Sequence, residues 1–122
     1  MGKNMLNQDE GKRGEEIAAE YLKKQGFKII DRNFRIRGGE IDIIALDAGT
    51  LVFIEVKTRS SAAFGSPLEA ITYWKLKALI KTAQFYKLRN PHLPDAMRID
   101  AVAIMLDHDN HPTSIELVKN IS

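Results

Sequence analysis

The segment Leu51 to Thr58, LVFIEVKT, most constrains what this chain can fold into. Successive side chains of an extended strand point to opposite faces, so Leu51, Val52, Phe53, Ile54 and Val56 make both faces apolar. Such a strand is stable only when covered above and below, which places it at the centre of a sheet. Glu55 and Lys57 interrupt the run. They lie two residues apart, leave the same face and are separated by about 6.5–7 Å along the chain. Charges at one end of a buried strand are costly unless partnered, and this makes the pair informative.

A second apolar strand, Ile41 to Leu46, precedes it and carries Asp42 among Ile41, Ile43 and Ile44. The link Asp47-Ala48-Gly49-Thr50 is short enough to join the two as an antiparallel hairpin. That hairpin can bring Asp42 alongside Glu55, although the sequence leaves the register open. Two carboxylates at close range repel, and one of them then holds its proton more tightly. A divalent cation removes the conflict, and a hard, all-oxygen environment suits magnesium or manganese. Lys57 beside such a metal could hold a scissile phosphate or help polarise an attacking water. The metal would lower the pKa of that water and stabilise the charge building on phosphorus, so the chemistry fits phosphodiester hydrolysis. A purely structural Asp–Lys–Glu ion network fits the same spacing.

The remaining elements follow from periodicity. Residues 1–9 are polar and expected to be loose, and residues 10–122 are expected to form a single domain. Ile17, Ala18, Tyr21 and Leu22 recur at helical steps, predicting a helix from about Glu10 to Gln25 that Gly26 ends. Phe27 to Phe34 reads as a strand, with Arg35 to Gly39 as the turn into the Asp42 strand. Residues 59–67, RSSAAFGSP, read as a loop, followed by a long helix from about Leu68 to Leu88 that Asn90-Pro91 stops. Ile99 to Leu106 and Ser114 to Val118 complete the set as strands. The order predicts an α/β (α+β) fold with a central mixed sheet flanked by helices.

Composition excludes several classes. With 44% hydrophobic and 28% charged residues, the chain is an ordinary globular one. It has no run of the roughly 18–20 apolar residues that span a bilayer, and no apolar segment near its start that resembles a secretory signal. It contains no cysteine, and its three histidines lack zinc-finger spacing. A soluble cytoplasmic protein without membrane partners is expected. Net charge is only +2, but Lys75, Lys77, Lys81, Lys87 and Arg89 fall between Glu69 and Asp95 with no acid among them. That stretch suits either a phosphate-facing surface or a solvated helix face.

The strings Gly39-Glu40-Ile41-Asp42-Ile43-Ile44-Ala45 and Leu51-Val-Phe-Ile-Glu55-Val-Lys57-Thr-Arg59 resemble the PD-(D/E)xK nuclease superfamily. More closely, they resemble the YraN family of bacterial proteins, whose relatives in fold include archaeal Holliday-junction resolvases and restriction endonucleases. The resemblance covers nearly the whole chain, from Gly11-Lys-Arg-Gly14-Glu15 to Arg98-Ile-Asp100. It implies a restriction-endonuclease-like αβββαβ core and a magnesium- or manganese-dependent endonuclease acting on DNA, on branched or damaged structures among others. Asp42 and Glu55 are then the metal ligands and Lys57 the catalytic lysine; Ile41 stands where the superfamily pattern has proline. Similarity to the resolvases suggests a homodimer. Some superfamily members bind nucleic acid or protein partners without cutting, which is the alternative reading.

Glu15 resembles the first-helix glutamate of the resolvases, eleven residues before a Gly-Phe pair, here Gly26-Phe27. Helical geometry puts it in line with Ala19 and Leu22 at the edge of the apolar stripe, where a catalytic role or a simple helix-dipole contact are both open. Glu40 shares a strand face with Asp42 and reads as a neighbour of the metal or a rim residue. Thr58 and Arg59 follow the catalytic strand, where a hydroxyl and a guanidinium suit phosphate. Lys77 matches a basic position in the family's helix and is the first choice for a phosphate contact, with Lys81 on the same polar strip. Trp74, Ala78 and Phe85 make an apolar edge beside those lysines, suited to packing on the sheet or a dimer partner, or to meeting unstacked bases. Arg98 and Asp100 share a strand face and are expected to pair.

Overall fold

A computed structural model describes residues 2–60 and 67–122, with side chains from Gly11 onward. Helix α1 spans Gly2–Lys24 and is followed by strands β1 (Lys28–Ile36), β2 (Gly39–Asp47) and β3 (Thr50–Arg59). A short 3-10 helix at Pro67–Ala70 leads into α2 (Tyr73–Arg89), and β4 (Met97–Leu106) and β5 (Pro112–Val118) close the fold. The five strands form one mixed sheet in the order β1-β2-β3-β4-β5. Every neighbouring pair is antiparallel except β3 and β4, which run parallel and are joined through α2.

Local chemistry explains the boundaries. Helix α1 ends in a Schellman motif: Phe27 N–H donates to Leu22 O and Gly26 N–H to Lys23 O, both at 3.0 Å. Gly26 has φ +95°, a conformation that glycine adopts at no steric cost, and Phe27 and Leu22 pack in the same apolar cluster. At the other end, α1 begins at Gly2, earlier than the expected Glu10, since no proline interrupts residues 2–24. The β2–β3 hairpin turns through Ala48 and Gly49, both at positive φ, as a two-residue turn between right-twisted strands requires. The expected long helix from Leu68 is two pieces. Thr72 breaks it by capping α2, its hydroxyl accepting from Lys75 N–H at 3.1 Å. Of the anticipated loop at residues 59–67, Arg59 belongs to the end of β3 and Pro67 opens the short 3-10 helix, while residues 61–66 lie outside the described residues.

The sheet is covered on both faces, as the Leu51–Thr58 pattern demands. On one side α1 buries Ala18, Ala19 and Leu22 against Ile43, Ala45, Val52, Ile54, Val102 and Ile104. On the other, α2 buries Leu79, Ala83 and Tyr86 against Ile41, Ile44, Leu51, Phe53 and Ile99. Each fully buried Leu, Ile or Phe side chain stabilises by about 1.5–3 kcal/mol. Arg98 and Asp100 do pair, at 2.9 Å, in a network that also takes in Asp47 at 2.8 Å. Among the described residues no helix is long and apolar enough to cross a membrane.

Candidate functional site

In β3 the α2-facing row reads Leu51, Phe53, Glu55, Lys57, so the two charges continue a core row past the edge of the core. Opposite them, the β2–β3 ladder runs from Asp47–Thr50 to Ile43–Ile54. At the next position the Asp42 side chain takes the place of a backbone acceptor: its Oδ2 receives the Val56 N–H at 2.8 Å. This bond anchors Asp42 against β3.

Helix α1 supplies the third carboxylate. Gly14 is buried, and a Cβ built there would collide with the Thr58 hydroxyl. The missing side chain lets the helix lie directly on the end of β3, which sets the next residue, Glu15, at the site. Gly11, Glu15, Asp42, Glu55, Val56, Lys57, Thr58 and Arg59 line one cleft of about 420 Å³. Four residues singled out for chemistry, Glu15, Asp42, Glu55 and Lys57, therefore converge from α1, β2 and β3.

The electrostatics are strained. Glu55 is 4% exposed. Burial, then the nearby Asp42 charge, push its pKa up to about 7, against the pull of Lys75 and Lys57. Burial also raises Asp42, opposed by the Val56 N–H, and Glu40 adds to the rise. Glu15 is raised as well, first by burial and then by Asp42. Lys57 Nζ stands 3.7 Å from Glu55 Oε1, and Lys75 Nζ stands 3.5 Å from the same oxygen.

Lys75 is the residue that sequence reasoning missed. It lies one turn before Leu79 and so extends the inward stripe Leu79–Thr82–Tyr86 back to the cleft. That spacing was the available signal. Of the other predicted positions, Thr58 and Arg59 also line the cleft, whereas Glu40, Lys77 and Lys81 lie outside its lining. Glu40 pairs with Arg35 at 3.0 Å at the rim and lines a smaller cavity with Lys75. Thr58 packs under Gly14, and Arg59 folds back to donate to Thr58 O at 3.2 Å. Lys77 and Lys81 are exposed, and Lys77 lies over the Tyr73 ring, 5.0 Å from its centroid. Trp74 is exposed and Phe85 reaches the Phe34 ring, so the edge that these residues share is only partly packed.

The donor set fits a hard divalent cation. Its ligating atoms are carboxylate oxygens, and their raised proton affinities mark a local excess of negative charge that such a cation would relieve. The carboxylates do not form a closed cage. Among the described residues the one set of three ligating side chains with all donor atoms within 4.8 Å is Asp107, Asp109 and His111, in the β4–β5 turn. Magnesium sites of one or two carboxylates completed by water and substrate phosphate need no such cage.

Fold and cleft together define a class: a helix–sheet–helix α/β protein with a carboxylate–lysine cleft where its two central hairpin strands part. A profile of the uncharacterised protein family UPF0102 matches residues 14–104, and the chain belongs to this family, the one its motif strings resemble. A UPF0102 protein of Clostridium botulinum (strain Loch Maree / Type A3) is 47% identical over 115 residues, covering 93% of this chain and 94% of the relative. One from Persephonella marina is 44% identical over 107 residues, covering 88% and 92%.

Proposed function

We propose that the protein is a cytoplasmic, metal-dependent endonuclease of the PD-(D/E)xK type that hydrolyses phosphodiester bonds in DNA, branched or damaged structures included. The observation that carries this reading is the convergence of Glu15, Asp42, Glu55 and Lys57 on one cleft. Asp42 and Glu55 would hold magnesium or manganese, which would supply a bound water of lowered pKa and charge stabilisation at phosphorus. Glu55 lines the cleft, and its Oε1 faces two ammonium groups, Lys75 at 3.5 Å and Lys57 at 3.7 Å. Lys57, at the open end of its row, can meet a phosphate oxygen or orient the attacking water. Glu15 lines the same cleft, and burial together with the Asp42 charge raises its proton affinity, which suits it to exchanging a proton with a bound water. Arg59 borders the cleft and can neutralise a neighbouring phosphate. By analogy with the resolvases the working form is a homodimer, which sedimentation will test.

The test is cleavage of duplex, single-stranded and branched DNA by purified protein with magnesium or manganese. Cutting of at least one substrate, abolished by chelator, is expected; no cutting of any of them refutes the enzyme reading. A second reading, a nucleic-acid-binding module without activity, draws on one observation: Lys57 and Lys75 already balance Glu55 within the protein. Under it, salt-sensitive DNA binding persists and is indifferent to metal.

A further inference from the structure

We propose that Tyr73 and Trp74 form a stacking platform for an unpaired nucleobase, so that the preferred substrate carries a single-stranded segment beside the scissile phosphate. The substrate class rests on the nuclease reading above; the platform itself rests on separate observations. Trp74 is 76% exposed and Tyr73 60% exposed. Their rings sit 5.2 Å apart, edge to face at 78°. Two large aromatics left to water on one helical turn mark a surface that is covered in use.

Position ties this surface to the cleft. The next residue is Lys75, whose ammonium group stands 3.5 Å from Glu55 Oε1. With 3.6 residues per turn, the platform and the lysine that reaches Glu55 share the first turn of α2. A strand whose phosphate lies beside Glu55 has the aromatic pair within one helical turn of Lys75.

Charge decides what covers it. Trp74, Ala78, Lys81, Phe85 and Leu88 follow one another along one side of α2, and Lys77 lies over Tyr73. No acidic residue occurs between Glu69 and Asp95. A second copy packed here about a two-fold axis would set these cations against their own equivalents. A single-stranded nucleic acid neutralises the cations with its phosphates and stacks its bases on the rings.

Trp74 is the only tryptophan in the chain, so its fluorescence reports on this surface alone. In chelator, where cleavage plays no part, a short oligothymidylate is expected to quench it saturably, with an affinity that falls as salt rises. A duplex bearing a single-stranded tail should do the same, and a blunt duplex should quench little. Trp74→Ala should weaken binding of a labelled single strand about tenfold, with Trp74→Phe retaining most of the affinity. Binding without quenching, or unchanged affinity in Trp74→Ala, overturns the platform and leaves the nuclease reading standing. Absence of salt-sensitive binding to any of these DNAs overturns the platform, and cleavage with magnesium or manganese then decides the nuclease reading separately. A dimer lost on Trp74→Ala gives the surface to a second copy and overturns the proposal.

Discussion

Asp42 Oδ2 accepts the Val56 N–H at 2.8 Å, and this one bond ties the carboxylate of β2 to the strand that carries Glu55 and Lys57. A side chain used as a strand acceptor cannot rotate freely, so the spacing of the two acidic groups is set by the sheet. Such preorganisation is what a metal-assisted hydrolysis requires, because the charge-bearing groups need not rearrange as the reaction proceeds.

Removing the carboxylates tests the chemistry directly. Asp42→Ala and Glu55→Ala should abolish DNA cleavage while leaving DNA binding within a few-fold. Lys57→Ala should lower kcat by roughly 10²–10³, the range seen when one preorganised charge-stabilising group is deleted. Equal loss of binding in all three variants would show that they act on the fold.

The raised pKa of Glu55 makes a statement about stability against pH. The unfolded carboxyl titrates near 4.5 and the folded one at about 7. Between those values the folded chain holds the proton and the unfolded chain does not, so the contribution of Glu55 to stability is full below the lower value and is lost as pH rises through the upper. Glu55→Gln removes the dependence, so its advantage over wild type in urea denaturation should be larger at pH 8 than at pH 5. Saturating magnesium should shrink that advantage, since a bound cation competes with the proton.

Lys75 lowers the Glu55 pKa from the α2 side, at 3.5 Å. Lys75→Met should therefore raise the Glu55 titration midpoint, followed by carboxyl carbon NMR in the absence of metal. Lys77→Met, at an exposed position outside the cleft, should leave it where it is.

Gly14 sets the seat of α1. Gly14→Ala forces a methyl group against Thr58 and should destabilise by about 1–3 kcal/mol, as overpacking does. Because the collision is with the Thr58 side chain, Thr58→Ala should recover part of that loss. Thermal melts of the two single variants and the double variant would show non-additivity; strict additivity would place the damage elsewhere.

Asp100 is fully buried and bonds to Arg98 and to the Asn120 N–H, away from the cleft. Asp100→Ala leaves Arg98 with Asp47 alone and the Asn120 N–H without its acceptor, and should cost about 1–3 kcal/mol. Any cleavage activity of the surviving folded protein should be unchanged, which would distinguish this carboxylate from Asp42 and Glu55.

Much of this architecture is legible along the chain. Apolar groups on both sides of Leu51–Thr58 demand a central strand, and alternation alone puts Glu55 and Lys57 on one face of it. Helical spacing places Glu15 at the edge of the stripe that α1 buries, and Gly26 marks where that helix ends. These are local consequences of covalent geometry, with periods that hold wherever the element comes to rest. The meeting of the cleft residues is of another kind. Whether Asp42 lies beside Glu55 depends on where β2 and β3 part, which the Val56 bond decides. Lys75 reaches Glu55, and Lys77 turns to solvent, because of the rotation at which α2 docks on the sheet, and a hydrophobic stripe fixes that rotation only once its partner surface exists. Sequence by itself determined the strand, the two faces and the residue types able to bind a metal; only the tertiary structure decided which of the charges meet, because pairing across elements is set by packing between surfaces distant in the chain.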